Sequence, residues 1–327
     1  MNPVVSPAGA QVASVLPVRF HPATDQLIAE SDAWVRELVR PCFRDTAGME
    51  RYLDGEIAAV CCAMLPGMPY AVARPMCDLF QYIVVIDDAL GDAGWVGGSV
   101  HASRLVVEQV MAAVSGWGRV EDTTRAARDA VDRLRPHLDE PRWRRFLVDF
   151  EDMLDGYLIE VSTRGEDGLS DLDAYARRRR VTVAMKWYLT VAELGHGEPM
   201  SERVATDERV LALREVVLDH LWLTNDMYSC AKERRGGEYI SLIPLLERLE
   251  GTSPEECVAW IAQRVVAQER EFLDRVAALR AGELAGEPGL EEYFDNLTHI
   301  MSGPLHWSPG TRRYQVSGRE GERRGAV

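Results

Sequence analysis

Three groups of polar residues interrupt otherwise apolar stretches of this chain, and each has residue types and spacing that could do chemistry. The first is Asp87-Asp88-Ala89-Leu90-Gly91-Asp92, which follows the run from Phe80 to Ile86. Carboxylates that close an apolar helix carry a desolvation cost unless a cation or hydrogen-bond donors compensate. Asp88 and Asp92 share a helix face at i, i+4, and Gly91 beside them loosens the backbone. The pattern suits a cation site, and equally a solvated helix end.

The second group is Asn225, Ser229 and Glu233, spaced i, i+4, i+8, with Lys232 beside the last. On a helix these fall along one stripe with a drift of about 40° per step. An amide oxygen, a hydroxyl and a carboxylate form an all-oxygen set, which suits a hard ion such as Mg²⁺ rather than zinc or copper. Water and phosphate oxygens would complete the coordination, and Lys232 supplies a point charge for a phosphate. The alternative is a helix C-terminus whose Lys complements the dipole. The third group is cationic: Arg177-Arg178-Arg179-Arg180, and Arg313-Tyr314 after Trp307. Guanidinium forks suit diphosphate oxygens, but four consecutive arginines on a helix cannot all face inward.

The elements that must position these groups read as helices almost throughout. Amphipathic stretches cover 24–39, 47–64, 73–88, 99–115, 121–135, 140–162, 171–195, 203–233, 239–249, 253–280 and 286–301. Pro75 is expected in the first turn of the third of these, and short alternating strand signals are almost absent. No repeat of fixed period and no dividing linker emerge. The expected architecture is a single all-α domain of about ten or more helices over 21–315. A loose leader over 1–20 and a basic tail over 316–327 flank it.

Composition narrows the function. The 327 residues carry 37 Lys+Arg against 52 Asp+Glu, a net charge of −15, with 46% hydrophobic and 27% charged residues. That is globular composition, and its acidity argues against nucleic-acid or anionic-membrane binding. No apolar run is long enough to span a membrane, and the start is not a convincing signal peptide. Cys42, Cys61, Cys62, Cys77, Cys230 and Cys257 lie in helix-like stretches without CxxC spacing, so buried reduced thiols and a cytoplasmic location are expected.

Taken together, the ordered motifs resemble those of the bacterial class I terpene synthases (terpene cyclases). These carry an aspartate-rich motif, a diphosphate-sensing Arg, an NDxxSxxxE triad and an Arg-Tyr pair. Here Arg180 stands 45 residues before Asn225, and Arg313 stands 80 residues after Glu233. The stretch from His21-Pro22 to Trp34-Val35-Arg36 is similar to the family's opening helix, so the likeness covers about 20–315.

The resemblance implies a helical bundle around an apolar cavity and three Mg²⁺ ions as cofactor. It also implies ionisation and cyclisation of farnesyl or geranylgeranyl diphosphate with release of diphosphate, and a homodimer. By position, Asp87 would ligate Mg²⁺, Asp92 would be a closing-stage contact, and Asn225, Ser229 and Glu233 would hold a further ion. Asp88 matches the residue that pairs with Arg313 when the site shuts. Arg180, Lys232, Arg313 and Tyr314 would grip the diphosphate. Ala184, where many relatives place Gly, would present a backbone carbonyl to the breaking bond. Two departures are the longer DDxxxD spacing and this Ala.

Such chemistry needs no protein nucleophile, so none of the seven His is assigned a role. The expected cavity wall is Phe80, Tyr82, Trp187, Trp222 and Trp307, whose aromatic faces would stabilise a carbocation by roughly 0.5–2 kcal/mol each. A chain-elongating isoprenyl synthase would need a second Asp-rich motif. A di-iron bundle would need paired ExxH motifs, where only Glu193-Leu194-Gly195-His196 fits. A non-catalytic scaffold of the same fold would release no diphosphate.

Overall fold

A computed structural model of the chain describes residues 7, 9, 12–91, 95–163, 171–195, 197–236 and 241–315, with the side chains of 231 and 233–236 outside that description. The described residues are helical, without a strand. In chain order the helices are α1 (Thr24–Trp34), α2 (Thr46–Leu53), α3 (Ile57–Met64), α4 (Tyr70–Gly91), α5 (Val100–Ser115), α6 (Arg125–Leu134) and α7 (Glu140–Ser162). There follow α8 (Leu172–Thr182), α9 (Lys186–Val191), α10 (Glu202–Ala205), α11 (Glu208–Gly236), α12 (Leu242–Glu250), α13 (Pro254–Ala281) and α14 (Leu290–Trp307). A π-helical turn over Val35–Val39 continues α1.

Local chemistry starts these helices. Asp139 caps α7 by accepting from the Arg142 amide, and Asp171 caps α8 by accepting from that of Ala174. Ser253 and Glu256 form a reciprocal capping box on α13, with Pro254 at its first position. Three expected boundaries move. Helix α4 begins at Tyr70, so Pro75 lies inside it. The carbonyl that would have received the missing N–H belongs to Ala71, an exposed residue of the first turn that water can reach. The stretch 47–64 divides at Asp54-Gly55-Glu56, where Glu56 takes a left-handed φ of 55°. The stretch 171–195 divides at 183–185, where Ala184 has φ 64°. A left-handed alanine costs about 1–2 kcal/mol, so packing must hold it there.

The core is built on α3, whose residues Ile57, Ala58, Val60 and Cys61 through Met64 are all buried. Against it lies α14, at a close approach that glycine eases: a Cβ on Gly303 would stand 3.1 Å from atoms of Ala63 and Met64. Likewise a Cβ on Gly156 of α7 would stand 3.0 Å from Val181 and Thr182, which lets α8 lie close on α7. Trp187 packs edge-on to Phe146 and Phe150. Each such fully buried apolar side chain contributes roughly 1.5–3 kcal/mol. All six cysteines are buried.

The leader expected to be loose is packed from Val12 onward. Val12 and Leu16 are buried, and the Ser14 hydroxyl and Val15 amide both donate to Glu269 of α13. Arg19 donates to Asp295, and the Ser302 hydroxyl to the Pro17 carbonyl. Apolar side chains at 12 and 16 and a buried carboxylate acceptor are enough to fasten the segment. No described helix is long and apolar enough to cross a membrane.

Candidate active site

Helices α3, α4, α7, α11 and α14, the break after α8 and the segment after α14 enclose a cleft of about 1440 Å³, its open mouth included. On α4 its lining follows a helical stripe, Phe80, Ile83, Val84, Asp87, Leu90 and Gly91. On α11 the stripe is Leu221, Thr224, Asn225, Ser229 and Lys232. Asp87 and the first two members of the oxygen triad therefore line one cavity. Asp92 and the side chain of Glu233 lie outside the described residues.

Among the described residues no three His, Cys, Asp or Glu form a metal-holding group. The oxygens here are instead of mixed type and come from two helices. The Ser229 hydroxyl is buried with no hydrogen-bond partner, which is unusual for a polar atom and is what a missing electrophile would leave. The Asn225 carbonyl oxygen accepts from Arg179 at 2.9 Å and keeps a second lone pair, while its amide donates to the Tyr314 hydroxyl at 3.3 Å. An amide oxygen, a hydroxyl and a carboxylate fit a hard cation.

The cation expected to serve this site is displaced by one residue. Arg180 points away from the cavity and pairs with Asp219 at 2.7 Å and Glu215 at 3.3 Å. Arg179 lines the cavity, donating to Asn225, to Asp226 at 2.8 Å and to the Thr182 hydroxyl at 3.1 Å. A signal for this was present: Tyr175, Arg179 and Thr182 at i, i+4, i+7 form the buried face of α8. Asp226, given no role from sequence, anchors Arg179 and accepts from Tyr175 and from the Leu242 amide. Its burial pushes the carboxyl above the ordinary range despite the Arg179 charge.

At the mouth, Asp88 meets both Arg313, at 2.8 and 2.9 Å, and Lys232, at 2.6 Å. Burial would raise this carboxyl, but the two cations outweigh it and hold Asp88 well below the usual range. Thr311 positions Arg313: its hydroxyl donates to the Gly55 carbonyl at 2.6 Å and accepts from the Arg313 amide at 3.1 Å. A Cβ on Gly55 would stand 3.0 Å from the Tyr52 carbonyl oxygen, so the turn that receives Thr311 is tight. The expected Asp88–Arg313 pair is thus formed across the chain.

Of the expected aromatic wall, Phe80 and Trp307 line the cavity. Trp307 donates to the Glu56 carbonyl at 3.1 Å and meets Tyr314 edge-on, with 5.7 Å between centroids. Tyr82, Trp187 and Trp222 do not line it. Tyr82 is about 200° around α4 from Phe80 and bonds the Thr123 carbonyl. Trp187 belongs to the aromatic cluster with Phe146 and Phe150, and Trp222 donates to Asp219 on the outer side of α11. Missed from sequence were Tyr157 and Glu160 of α7 and Ile57, Val60 and Met64 of α3. The phenol of Tyr157 is pushed well above its ordinary value by burial and by nearby Asp87, so it stays protonated. Ala184 lines the cavity with Val183 and Met185, at the helix break.

Residues 78–271 match the family described as "Terpene synthase family 2, C-terminal metal binding". The chain is 28% identical over 257 residues to pristinol synthase of Streptomyces pristinaespiralis, covering 74% of this chain and 68% of that protein. It is 27% identical over 313 residues to pentalenene synthase of Streptomyces exfoliatus, covering 92% and 91% respectively. In fold it is similar to the linalool/nerolidol synthase of Streptomyces clavuligerus crystallised with 2-fluorogeranyl diphosphate. The TM-score is 0.78 at 22% identity, covering 93% of this chain and 100% of the other. With more than half of its length matched to the family, and with the acidic and Asn/Ser stripes facing one cleft, this chain belongs to terpene synthase family 2.

Proposed function

We propose that the protein is a class I terpene cyclase that ionises farnesyl or geranylgeranyl diphosphate and closes the resulting cation into a cyclic terpene, releasing diphosphate. The observation that carries this is one cavity with two chemistries. Hard oxygen donors and cations gather at its mouth, and Phe80, Ile83, Val84, Leu221 and Trp307 make an apolar wall.

Asp87, Asn225, Ser229 and Glu233 would hold Mg²⁺, with Asp92 as a closing contact. When bound, the ions withdraw charge from the diphosphate oxygens and make diphosphate a good leaving group. Arg179, Lys232, Arg313 and Tyr314 bind and orient the diphosphate, replacing Arg180 of the sequence expectation. Charge separation in an apolar cavity is costly, so fixed guanidinium and ammonium groups aimed at the departing oxygens are where the protein lowers the barrier. The Asp88–Arg313 bridge draws the segment after α14 over the mouth and keeps water from the cation. Aromatic and aliphatic walls then fold the chain by shape. The backbone at 183–185 offers a polar edge to the reacting carbon, and the left-handed Ala184 is strain stored where the reaction needs that edge.

The test is incubation of purified protein with Mg²⁺ and geranyl, farnesyl or geranylgeranyl diphosphate, followed by identification of the extracted hydrocarbons. A cyclic product from one of the two longer substrates is expected. A longer linear diphosphate with added isopentenyl diphosphate would replace this reading with chain elongation, and no diphosphate release would replace it with a binding protein.

A further inference from the structure

Thr224 of α11 lines the cavity and has no part in the ionisation described above. It is buried, and among the described residues its hydroxyl has no hydrogen-bond partner. A threonine inside a helix ordinarily donates to the carbonyl four residues back. Thr298 of α14 does so, to the Phe294 carbonyl at 2.8 Å. Thr224 does not, so its hydrogen and its lone pairs are uncommitted where an unmade hydrogen bond is costly. The other serine and threonine hydroxyls around the cavity are accounted for. Thr182 accepts from Arg179 at 3.1 Å, Ser308 donates to the Pro304 carbonyl at 2.7 Å, and Ser229 belongs to the oxygen triad.

Along α11 the lining runs Leu221, Thr224, Asn225, Ser229, Lys232. Thr224 thus stands where the apolar wall meets the triad, about 4.5 Å of helix rise from Leu221 and about 7.5 Å from Ser229. Its Cβ carries a methyl and a hydroxyl, and no hydrogen bond fixes χ1. A single rotation therefore exchanges which of the two faces the cavity. A buried hydroxyl without a protein partner is satisfied by water where a second polar group is present. Thr182 supplies one: it lines the same cavity, is joined to Asn225 through the two arms of Arg179, and accepts there, which leaves its own hydrogen to donate. The Asp88–Arg313 bridge keeps bulk water out, so a water survives beside the cation only where such groups hold it.

We propose that Thr224 holds the water that ends the reaction, and that the product is a terpene alcohol. The proposal rests on the cyclase reading. The water oxygen gives a lone pair to the cationic carbon and a C–O bond forms. One O–H bond of that water breaks, and its proton goes to an oxygen of the diphosphate, the base that ionisation itself has released. Nothing is oxidised or reduced.

The test is turnover in Mg²⁺ and heavy-oxygen water with farnesyl and geranylgeranyl diphosphate, followed by mass spectrometry of the extracted products, for wild type, T224V and T224S. Valine keeps the volume and exchanges the hydroxyl for a methyl, whereas serine keeps the hydroxyl. Wild type is expected to form mainly an alcohol that carries the heavy oxygen. T224V should lower the ratio of alcohol to hydrocarbon about tenfold, the worth of one hydrogen bond, and T224S should return it to within about threefold of wild type. A purely steric role for Thr224 predicts the reverse order, with valine closer to wild type than serine. A wild-type product that is wholly hydrocarbon, an alcohol without heavy oxygen, or equal ratios in wild type and T224V would each overturn the proposal and leave the cyclase reading intact. The first two of these need no variant to fold. Absence of both prenyl product and diphosphate release would overturn the cyclase reading and the proposal with it.

Discussion

Two carboxylates in this molecule are each surrounded by cations, and they differ in what those cations are attached to. Glu193, after α9, is buried and engages Arg142 at 2.9 Å, Arg145 at 2.8 Å and Arg214. Arg142 and Arg145 belong to α7 and Arg214 to α11, so this network ties packed helices to one another, and none of its members lines the cavity. Asp88, at the end of α4, engages Lys232 of α11 and Arg313 of the segment after α14, and its side chain is 28% exposed. One partner of Asp88 thus sits on a short stretch held mainly by Thr311, Trp307 and the Gly55 turn. The same ionic chemistry makes a rivet in one place and a latch in the other. Depth and the stiffness of the partner's backbone decide which, because a fully buried charge is released only at a large desolvation penalty and a partly exposed one at a smaller penalty.

The comparison can be broken from either side. Glu193→Gln should cost about 3–5 kcal/mol of stability, since it removes the buried carboxylate shared by Arg142, Arg145 and Arg214 and leaves the first two only Asp139 and Glu202, while the folded fraction keeps its turnover. Thermal unfolding together with specific activity would check this, and a variant as stable as wild type would end the rivet reading. Arg313→Ala should do the reverse: stability changes by less than about 1 kcal/mol, and kcat/KM for the prenyl diphosphate falls about 100-fold.

A smaller contrast lies between neighbours. Arg179→Lys should slow single-turnover ionisation by about tenfold, because an ammonium cannot reproduce a fork that spans Asn225, Asp226 and Thr182. Arg180→Lys should stay within about twofold, since its partners Asp219 and Glu215 lie outside the cavity. Equal effects would mean that α8 presents a different face during the reaction.

The smallest effect concerns pH. Burial opposes ionisation of both carboxylates, yet their cations hold both below the ordinary range. A depressed folded pKa contributes stability that is fully present above the unfolded value, about 3.9 for Asp and 4.3 for Glu, and is lost as pH falls below it. The unfolding midpoint should therefore show no inflection from these groups between about pH 5 and 8 and should drop below about pH 4. An inflection near neutrality that disappears in Glu193→Gln would contradict the assignment.

How much of this was legible in the sequence depended on whether the information is local. The span 140–162 reads as helix from its amphipathic periodicity, and α7 occupies those residues. Asn225 and Ser229 share a stripe because the spacing of side chains around a helix is a property of the backbone itself. The helix breaks at 54–56 and 183–185 were not read from the sequence, although the first coincides with an Asp-Gly dipeptide. Asp54-Gly55 marks a turn, but the left-handed residues themselves are Glu56 and Ala184, types that do not announce a positive φ. The aromatic wall was half legible for the same kind of reason: Phe80 and Tyr82 are equally apolar neighbours, and only the docking of α4 says which one turns inward.

By itself, then, the sequence determined an all-helical chain with oxygen donors and cations at helical spacing, because hydrophobic period, capping and residue chemistry are written over a few turns. Tertiary structure alone decided which of four consecutive arginines reaches the cavity and which of the neighbouring aromatics on α4 faces it. Each residue step turns a helix by about 100°, so a side chain's direction depends on how its helix is seated, and the contacts that seat it come from residues hundreds of positions away.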